Sequence, residues 1–366
     1  MADGTPTPPV PAGREEPQTR SVLLPLRVTV APVKALATIP FDRHADHVYT
    51  ALELHYLDRG DERGWRVLAH RHDRHVDVYD GASLTLDPTE RCSVYGKGVR
   101  RHVTTLIQQA ALEVDENGCA HIAITFTDLY GRRISVDVQE KAAKPSQPTR
   151  LLSTTGATAD RPGSFPLFLF RTVDFVRLRR STLDVTIDGA AVALEPFPAP
   201  VPLAGARRTY VKYATDVDLL HLFPTDEHHL RTVTVTDGVH LRGEVAYHFE
   251  GEALARIVVR GTEVTFTPPL DLHRPGKGRV EVVSRPGMGV VGGSYRAKAS
   301  QGSARFTLQI DKVRVPQQGS RSHRIFVNDR SRFGRWPRRY RFAARYDLSE
   351  GTVDARWTNR RDPEPR

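Results

Sequence analysis

The stretch TLDVTIDGAAVAL, residues 182–194, contains two extended segments joined by a reversal. Its apolar residues Leu183, Val185 and Ile187 alternate with polar ones, which is typical of a β-strand with one buried and one solvated face. Asp188-Gly189 follows directly, and this dipeptide is a strong signal for a two-residue hairpin turn. The stretch therefore predicts a pair of antiparallel strands.

The same combination of alternation and turn recurs along the chain. Turns are predicted at Asp80-Gly81, Asn117-Gly118 and Asp237-Gly238, each beside segments of alternating character. About twenty extended segments are recognised in this way. We therefore expect an all-β, antiparallel fold, arranged as two lipocalin-like barrels or as a barrel packed beside a β-sandwich.

Two segments depart from the strand pattern. The apolar spacing of HVTTLIQQAALEV, residues 102–114, and of DVDLLHLF, residues 216–223, predicts one or two short helices. The apolar parity also changes after Ile310, which predicts a β-bulge near Asp311 and Lys312.

The stretch SRPGMGVVGGS, residues 284–294, has the G-x-G-x-x-G spacing of a dinucleotide-binding loop, with Asp311 further along. Such a loop needs a buried strand before it and a helix after it. Here the preceding segment GRVEVVS is only half apolar, and the following GSYRAKASQGSAR has too little apolar surface for a packed helix. The stretch therefore predicts a glycine-rich loop between antiparallel strands, and we expect no cofactor.

Length and composition predict two β domains. The chain has 366 residues, of which 39% are hydrophobic, and this is enough for two hydrophobic cores. Residues 1–22 are rich in proline and poor in large apolar side chains, so we expect a disordered tail. An irregular, Pro- and Ser-containing stretch follows the first group of strands and divides the rest into an N-terminal domain, 23–150, and a C-terminal domain, 151–366.

The sequence also bears on location in the cell. No apolar run approaches the ~20 residues that a membrane-spanning helix needs. Residues 1–20 lack the apolar centre of a secretory signal. We therefore expect a cytoplasmic protein without a membrane span.

Basic residues are concentrated in the last part of the chain. The formal net charge is +10, and residues 301–366 contain sixteen Lys and Arg against seven Asp and Glu. Nucleic acid or another polyanion is therefore a possible partner. Alternation in YRFAARY, residues 340–346, disfavours nucleic acid, because it places the aromatic residues on one face and the arginines on the other, as expected of a core and a solvated face.

Strand alternation does not extend to the irregular segment before residue 340. It contains Arg332, Arg335 and Trp336, which could line the rim of a pocket and hold a carboxylate or a phosphate. These three residues are predicted ligand-binding residues.

Candidate catalytic residues lie in two neighbouring polar segments. Strict alternation places Tyr49, Glu53 and His55 on one face of the first strand, and it places His75, Asp77 and Tyr79 on one face of the second. If both faces line a lumen, Glu53, His55, His75 and Asp77 can serve as acids and bases, and Tyr49 and Tyr79 can contact the ligand. If both faces point outward, they form a solvated surface.

A metal site is not expected in this region. His70, His72 and His75 have the spacing H-x-H-x-x-H, but Arg71 and Arg74 beside them would repel a cation.

The function predicted from these features is binding of an apolar small molecule, which could bear an acidic group, in a β-barrel or an inter-domain cleft. Non-hydrolytic acid/base chemistry in biosynthesis (hydration, isomerisation or cyclisation) is compatible with the candidate residues. Two alternatives stay open: a structural or protein-interaction β protein, and polyanion binding through the C-terminal arginines. The sequence leaves open whether the chain is an enzyme and what its oligomeric state is.

Overall fold

A computed structural model describes residues 18–60, 62–84, 97–141, 149–154, 163–199, 204–223, 228–284, 287–314, 319–329 and 340–359. These residues form twenty-five strands and one short helix. Almost all strand pairs are antiparallel, so the predicted all-β, antiparallel fold is confirmed. The exception among the described pairs is β6 with β7, which is parallel.

In chain order the first strands are β1 (Thr19–Leu24), β2 (Arg27–Ala31), β3 (Val33–Pro40), β4 (Tyr49–Arg59), β5 (Glu62–Arg71), β6 (Val76–Gly81), β7 (Val99–Thr105), β8 (Gln109–Val114), β9 (Ala120–Thr127), β10 (Arg133–Gln139), β11 (Thr149–Thr154), β12 (Phe165–Leu178), β13 (Thr182–Ile187), β14 (Ala190–Ala191) and β15 (Ala206–Phe223). The remaining elements are β16 (Arg231–Thr236), β17 (Val239–Arg242), β18 (Val245–Glu250), β19 (Ala253–Val259), β20 (Thr262–Leu270), β21 (Gly276–Ser284), β22 (Val290–Ser300), β23 (Ser303–Arg314), helix α1 (Arg321–Val327), β24 (Tyr340–Asp347) and β25 (Thr352–Asn359).

Two of the three sheets form a β-sandwich. A nine-stranded sheet has the order β11-β12-β15-β3-β4-β5-β6-β7, with β2 also paired to β15, and a five-stranded sheet has the order β14-β13-β10-β9-β8. Their facing side chains share one hydrophobic core, in which Ile39 and Leu54 of the larger sheet pack with Ile124 and Val136 of the smaller. This core explains the alternation of β10 and β13, because these strands turn their apolar residues toward the opposite sheet.

The third sheet is an eleven-stranded meander, β1-β16-β17-β18-β19-β20-β21-β22-β23-β24-β25. Its inward residues, from Val22 to Trp357, belong to one core, so the sheet curls around them. Phe165 of β12 enters the same core and stacks on Trp357 with ring centroids 4.1 Å apart. No closed barrel is found in the described part of the chain; an isolated bridge between His229 and Thr352 links β25 to the residues before β16.

Three of the four predicted turns are present. Asp188-Gly189 has φ angles of 51° and 77°, and Asp237-Gly238 has φ angles of 50° and 79°, so both dipeptides occupy the left-handed region that tight hairpins need. Asn117-Gly118 lies in the turn between β8 and β9. The prediction at Asp80-Gly81 is wrong, because both residues belong to β6 and continue its pairing with β7.

The glycine-rich stretch joins two antiparallel strands, as predicted. It contains the connection from β21 to β22 and the first part of β22, and the two strands pair directly. The predicted bulge is also confirmed, because the β22–β23 register moves from Gly292–Lys312 to Gly293–Ile310 and leaves Asp311 as the extra residue. A Cβ on Gly293 would lie 1.9 Å from the carbonyl oxygen of Gln309, so this close approach requires glycine.

Both helix predictions are wrong. Residues 102–114 contain the end of β7 and all of β8, and residues 216–223 form the end of β15. Pairing of β8 with β9 and of β15 with β12 overrides the local apolar spacing in these short segments. The helix of the described residues, α1, is in the basic region at Arg321–Val327 instead.

Strand pairing also bears on the predicted domain limits. β1 begins at Thr19, within the predicted tail 1–22, because Val22 and Leu24 pack in the core of the third sheet; residues 1–17 lie outside the described ranges. β10 pairs with β13 and β3 pairs with β15, so both sheets of the sandwich combine strands from before and after residue 150. The described ranges contain no helix with the length and hydropathy that a bilayer crossing requires.

Candidate functional site

A small cavity lies on the face of the nine-stranded sheet that points away from the five-stranded sheet. Helix α1 lies over this face, and the space between helix and sheet has a volume of about 190 Å³. We call it the sheet–helix cavity. Its lining residues come from β3, β4, β11, β12, β15 and α1: Leu36, Thr38, Glu53, Thr149, Leu151, Ser153, Phe168, Phe170, Val173, Phe175, Lys212, His323, Phe326 and Val327.

Aromatic side chains form most of one wall. Phe168 and Phe170 of β12 are stacked with ring centroids 5.5 Å apart. Phe175, further along the same strand, packs against Phe326 of α1 at 5.1 Å. These contacts make the cavity apolar on the side of β12 and connect the helix to the sheet.

Hydrogen bonds of His323 fix the helix in this position. The imidazole Nε2–H donates to the carbonyl oxygen of Val173 at 2.6 Å, and the hydroxyl of Ser320 donates to Nδ1 at 2.8 Å. Ser320 is also the N-cap, because its hydroxyl oxygen accepts the backbone N–H of His323. The roof of the cavity therefore has a defined position on β12.

Glu53 is the acidic residue of the cavity wall. Strand alternation points its side chain away from the sandwich core, into which Leu52 and Leu54 project. His55 Nε2 lies 2.6 Å from Glu53 Oε1, and His70 Nε2 lies 3.5 Å from Glu53 Oε2. All three side chains are buried, so the cavity wall contains a carboxylate with two imidazoles beside it.

Burial by itself would raise the pKa of Glu53. The hydrogen bond from His55 and the proximity of His70 more than offset the burial, and the pKa of Glu53 is held well below its ordinary value. Glu53 is therefore ionised at neutral pH, and the imidazoles stabilise its charge.

A buried ion pair lies next to Glu53 and His55 on the same face. Arg66 is in register with His55 on one side and with Asp80 on the other. Its guanidinium donates to both carboxylate oxygens of Asp80, at 2.5 and 2.6 Å. Asp80 also contacts Nε2 of the partly exposed His102 at 2.8 Å. Ionisable side chains thus extend from the cavity to the surface across β4, β5, β6 and β7.

The other predicted catalytic residues are not part of this group. Asp77 points to the sandwich side of the sheet, where Arg71 donates to it at 2.7 Å. His75 lies at the turn before β6, with Nδ1 3.4 Å from Asp73. Glu53 and His55 are brought together, whereas His75 and Asp77 belong to a separate polar network.

Tyr49 and Tyr79 also lie on the sandwich side. Their hydroxyl oxygens are 2.6 Å apart, and neither ring is exposed. The predicted shared face of Tyr49 with Glu53 is wrong, because a bulge between Tyr49 and Ala51 shifts the parity of β4. Burial raises the pKa of Tyr79 to about 12, so both hydroxyls stay protonated in this core.

Sequence reasoning missed several residues of the cavity. Phe168 and Phe170 belong to the continuous apolar run FPLFLF, which has no alternation and gives no sign of which residues line a space. Lys212 stands between the core residues Val211 and Tyr213, and this pattern could have placed it on the cavity face. Arg332, Arg335 and Trp336 lie outside the described residues.

The described residues contain no group of three or more His, Cys, Asp or Glu side chains that could hold a metal ion. Comparison of the chain with protein-family models, curated proteins and solved structures finds no match.

Proposed function

We propose that this protein binds a small, mostly apolar molecule with an acidic group in the sheet–helix cavity. The observation that carries the proposal is the composition of the cavity wall. Aromatic and aliphatic side chains of β3, β11, β12 and α1 surround a space into which a few polar groups project. This combination is typical of small-molecule sites in proteins.

The volume limits the size of the ligand. About 190 Å³ is below the ~300–1,000 Å³ of sites for drug-sized molecules. An apolar cavity of ~150 Å³ is sufficient for benzene. The proposed ligand is therefore a single ring or a short aliphatic chain.

Charge in the wall favours an acid over an amine. Lys212 supplies a cation that already has contacts within the protein, and its Nζ lies 5.9 Å from the ring centroid of Phe326. Two imidazoles already lie beside the Glu53 carboxylate and stabilise it within the protein. A ligand carboxylate near Lys212 would form a charge-assisted hydrogen bond.

The same geometry supports binding more strongly than catalysis. A general base is most effective when its pKa is near the working pH. The pKa of Glu53 is held far below that range, which makes its carboxylate a weak base. Acid/base chemistry at Glu53 and His55 is the secondary hypothesis.

Calorimetric titration with benzoate, benzyl alcohol and benzylamine tests the proposal. We expect benzoate to bind most tightly to the unaltered protein, and Lys212→Met to remove the preference for benzoate over benzyl alcohol. Lys34→Met is the matched control, because Lys34 is half exposed on the neighbouring strand β3. Leu151→Trp should fill the cavity and abolish binding, whereas Leu241→Trp, at a side chain that is 70% exposed, should not.

Two outcomes would contradict the proposal. One is the absence of a heat of binding for all three probes at millimolar concentration. The other is tighter binding of benzylamine than of benzoate, which would assign the polar contact to Glu53.

A further inference from the structure

The outer face of strands β21 to β25 is strongly basic. Alternate residues of these strands, such as Tyr295, Phe306 and Phe342, are buried in the core of the eleven-stranded sheet. The residues between them point outward, and these include the exposed cations Lys277, Arg279, Arg296, Lys298, Arg305, Arg341, Arg345 and Arg356. We call this surface the basic face.

Several of these cations are direct neighbours across strands. Lys298 is in register with Arg305, and Arg305 is in register with Arg345, so three positive charges form one row over β22, β23 and β24. Lys277 and Arg296 form a second pair in the adjacent row. Like charges directly opposite each other destabilise a sheet. This arrangement is unfavourable for folding and is better suited to an anionic partner.

Acidic residues neutralise only part of the basic face. Asp354 is in register with Arg345 at one side. Glu281 lies at the other side, where Lys312 donates to it at 3.2 Å. Lys298 is directly opposite Arg305, and Lys277 is directly opposite Arg296, so no carboxylate separates the two cations of either pair.

We propose that the basic face docks on the surface of an anionic lipid bilayer. The cations are spread over five neighbouring strands, which at ~4.8 Å spacing span about 19 Å, and they occupy several rows along the strands. Lipid headgroups form a two-dimensional array of negative charge, and juxtaposed Lys and Arg side chains are attracted to it. The cations are therefore distributed over an area, as the charges of a bilayer surface are, and not along a single line as in a linear polyanion.

The chemistry of the face argues against single-stranded nucleic acid. Stacking of bases needs exposed aromatic side chains. The aromatic residues of β22 to β25, including Tyr346 and Trp357, are buried. The large exposed hydrophobic side chains of the described residues, Leu106, Val114, Tyr130 and Leu241, also lie outside β21 to β25, so attachment would be electrostatic.

Vesicle co-sedimentation with the full chain tests this proposal. We expect binding to vesicles of phosphatidylcholine with 30% phosphatidylserine, no binding to pure phosphatidylcholine, and loss of binding as salt is raised. The triple variant Lys298→Gln, Arg305→Gln, Arg345→Gln should weaken binding on the order of 100-fold. The control variant Arg101→Gln, Arg133→Gln, Arg208→Gln removes the same charge from exposed sites elsewhere and should bind nearly as well as the unaltered chain.

Stability provides the second measurement. Because the triple variant relieves repulsion between neighbouring strands, its unfolding temperature should equal or exceed that of the unaltered chain.

Failure of the unaltered chain to bind the anionic vesicles would overturn the proposal, and so would equal binding by both triple variants. Preferential, salt-sensitive binding to duplex DNA that the first triple variant loses would assign the basic face to nucleic acid instead. None of these results bears on the sheet–helix cavity.

Discussion

Arg66 and Asp80 are both buried and hydrogen-bond to each other, and Asp80 has a further contact with the partly exposed His102. Loss of one member of a buried ion pair is costly, since it leaves an uncompensated charge. We expect Arg66→Met to lower the free energy of unfolding by about 3–5 kcal/mol. The double variant Arg66→Met, Asp80→Leu should recover much of this loss, as measured by urea denaturation. Equal stability of the single and the double variant would show that the charge of Asp80 is compensated by other groups.

Glu53 is a single residue that makes the stability of the protein depend on pH. Its pKa in the folded protein is lowered, so its contribution to stability is complete above the unfolded-state value of about 4.3 and is lost as the pH falls through the folded value. Glu53→Gln should therefore destabilise the protein at pH 7, and the difference from the unaltered chain should shrink at pH 3. Urea denaturation at the two pH values measures this. An equal difference at both would contradict the ionised state assigned to Glu53.

The hairpin turns show what a local signal can predict at the scale of elements. Gly189 and Gly238 both have φ near 80°, where a Cβ is strained. Open space surrounds a Cβ at Gly189, whereas one at Gly238 would lie 3.2 Å from the carbonyl oxygen of Phe249. We expect Gly189→Ala to cost about 1–2 kcal/mol and Gly238→Ala to cost more, by thermal denaturation. The reverse order would mean that the β16–β17 turn can relax more easily than its contacts suggest.

Local signals were less reliable where long-range pairing decides the structure. Asp-Gly dipeptides predict turns because their backbone preference is intrinsic, yet Asp80-Gly81 stays in β6, where Asp80 pairs with Arg66. The alternation of β4 correctly predicts that Glu53 and His55 share a face. It wrongly places Tyr49 on that face too, because no sequence signal is strong enough to place the bulge after Tyr49. The cavity itself depends on α1 meeting β12, and these elements are about 150 residues apart in the chain.

At the scale of the whole molecule, strand pairing joins the two predicted domains. The pairs β10–β13 and β3–β15 cross the boundary at residue 150. We therefore expect that fragment 23–150 does not fold when it is produced separately, and that mixing or co-expression with fragment 151–366 is needed to restore its structure. Amide NMR spectra measure this, and a well-dispersed spectrum of fragment 23–150 alone would show that the division marks an independent folding unit.

We propose that the sheet–helix cavity holds a small acid between β12 and α1. A crystal structure of the protein grown with benzoate tests this proposal. We expect a ring between Phe170 and Phe326 with its carboxylate directed at Nζ of Lys212. A cavity that remains without the ring, or a ring bound with its carboxylate away from Lys212, would contradict it.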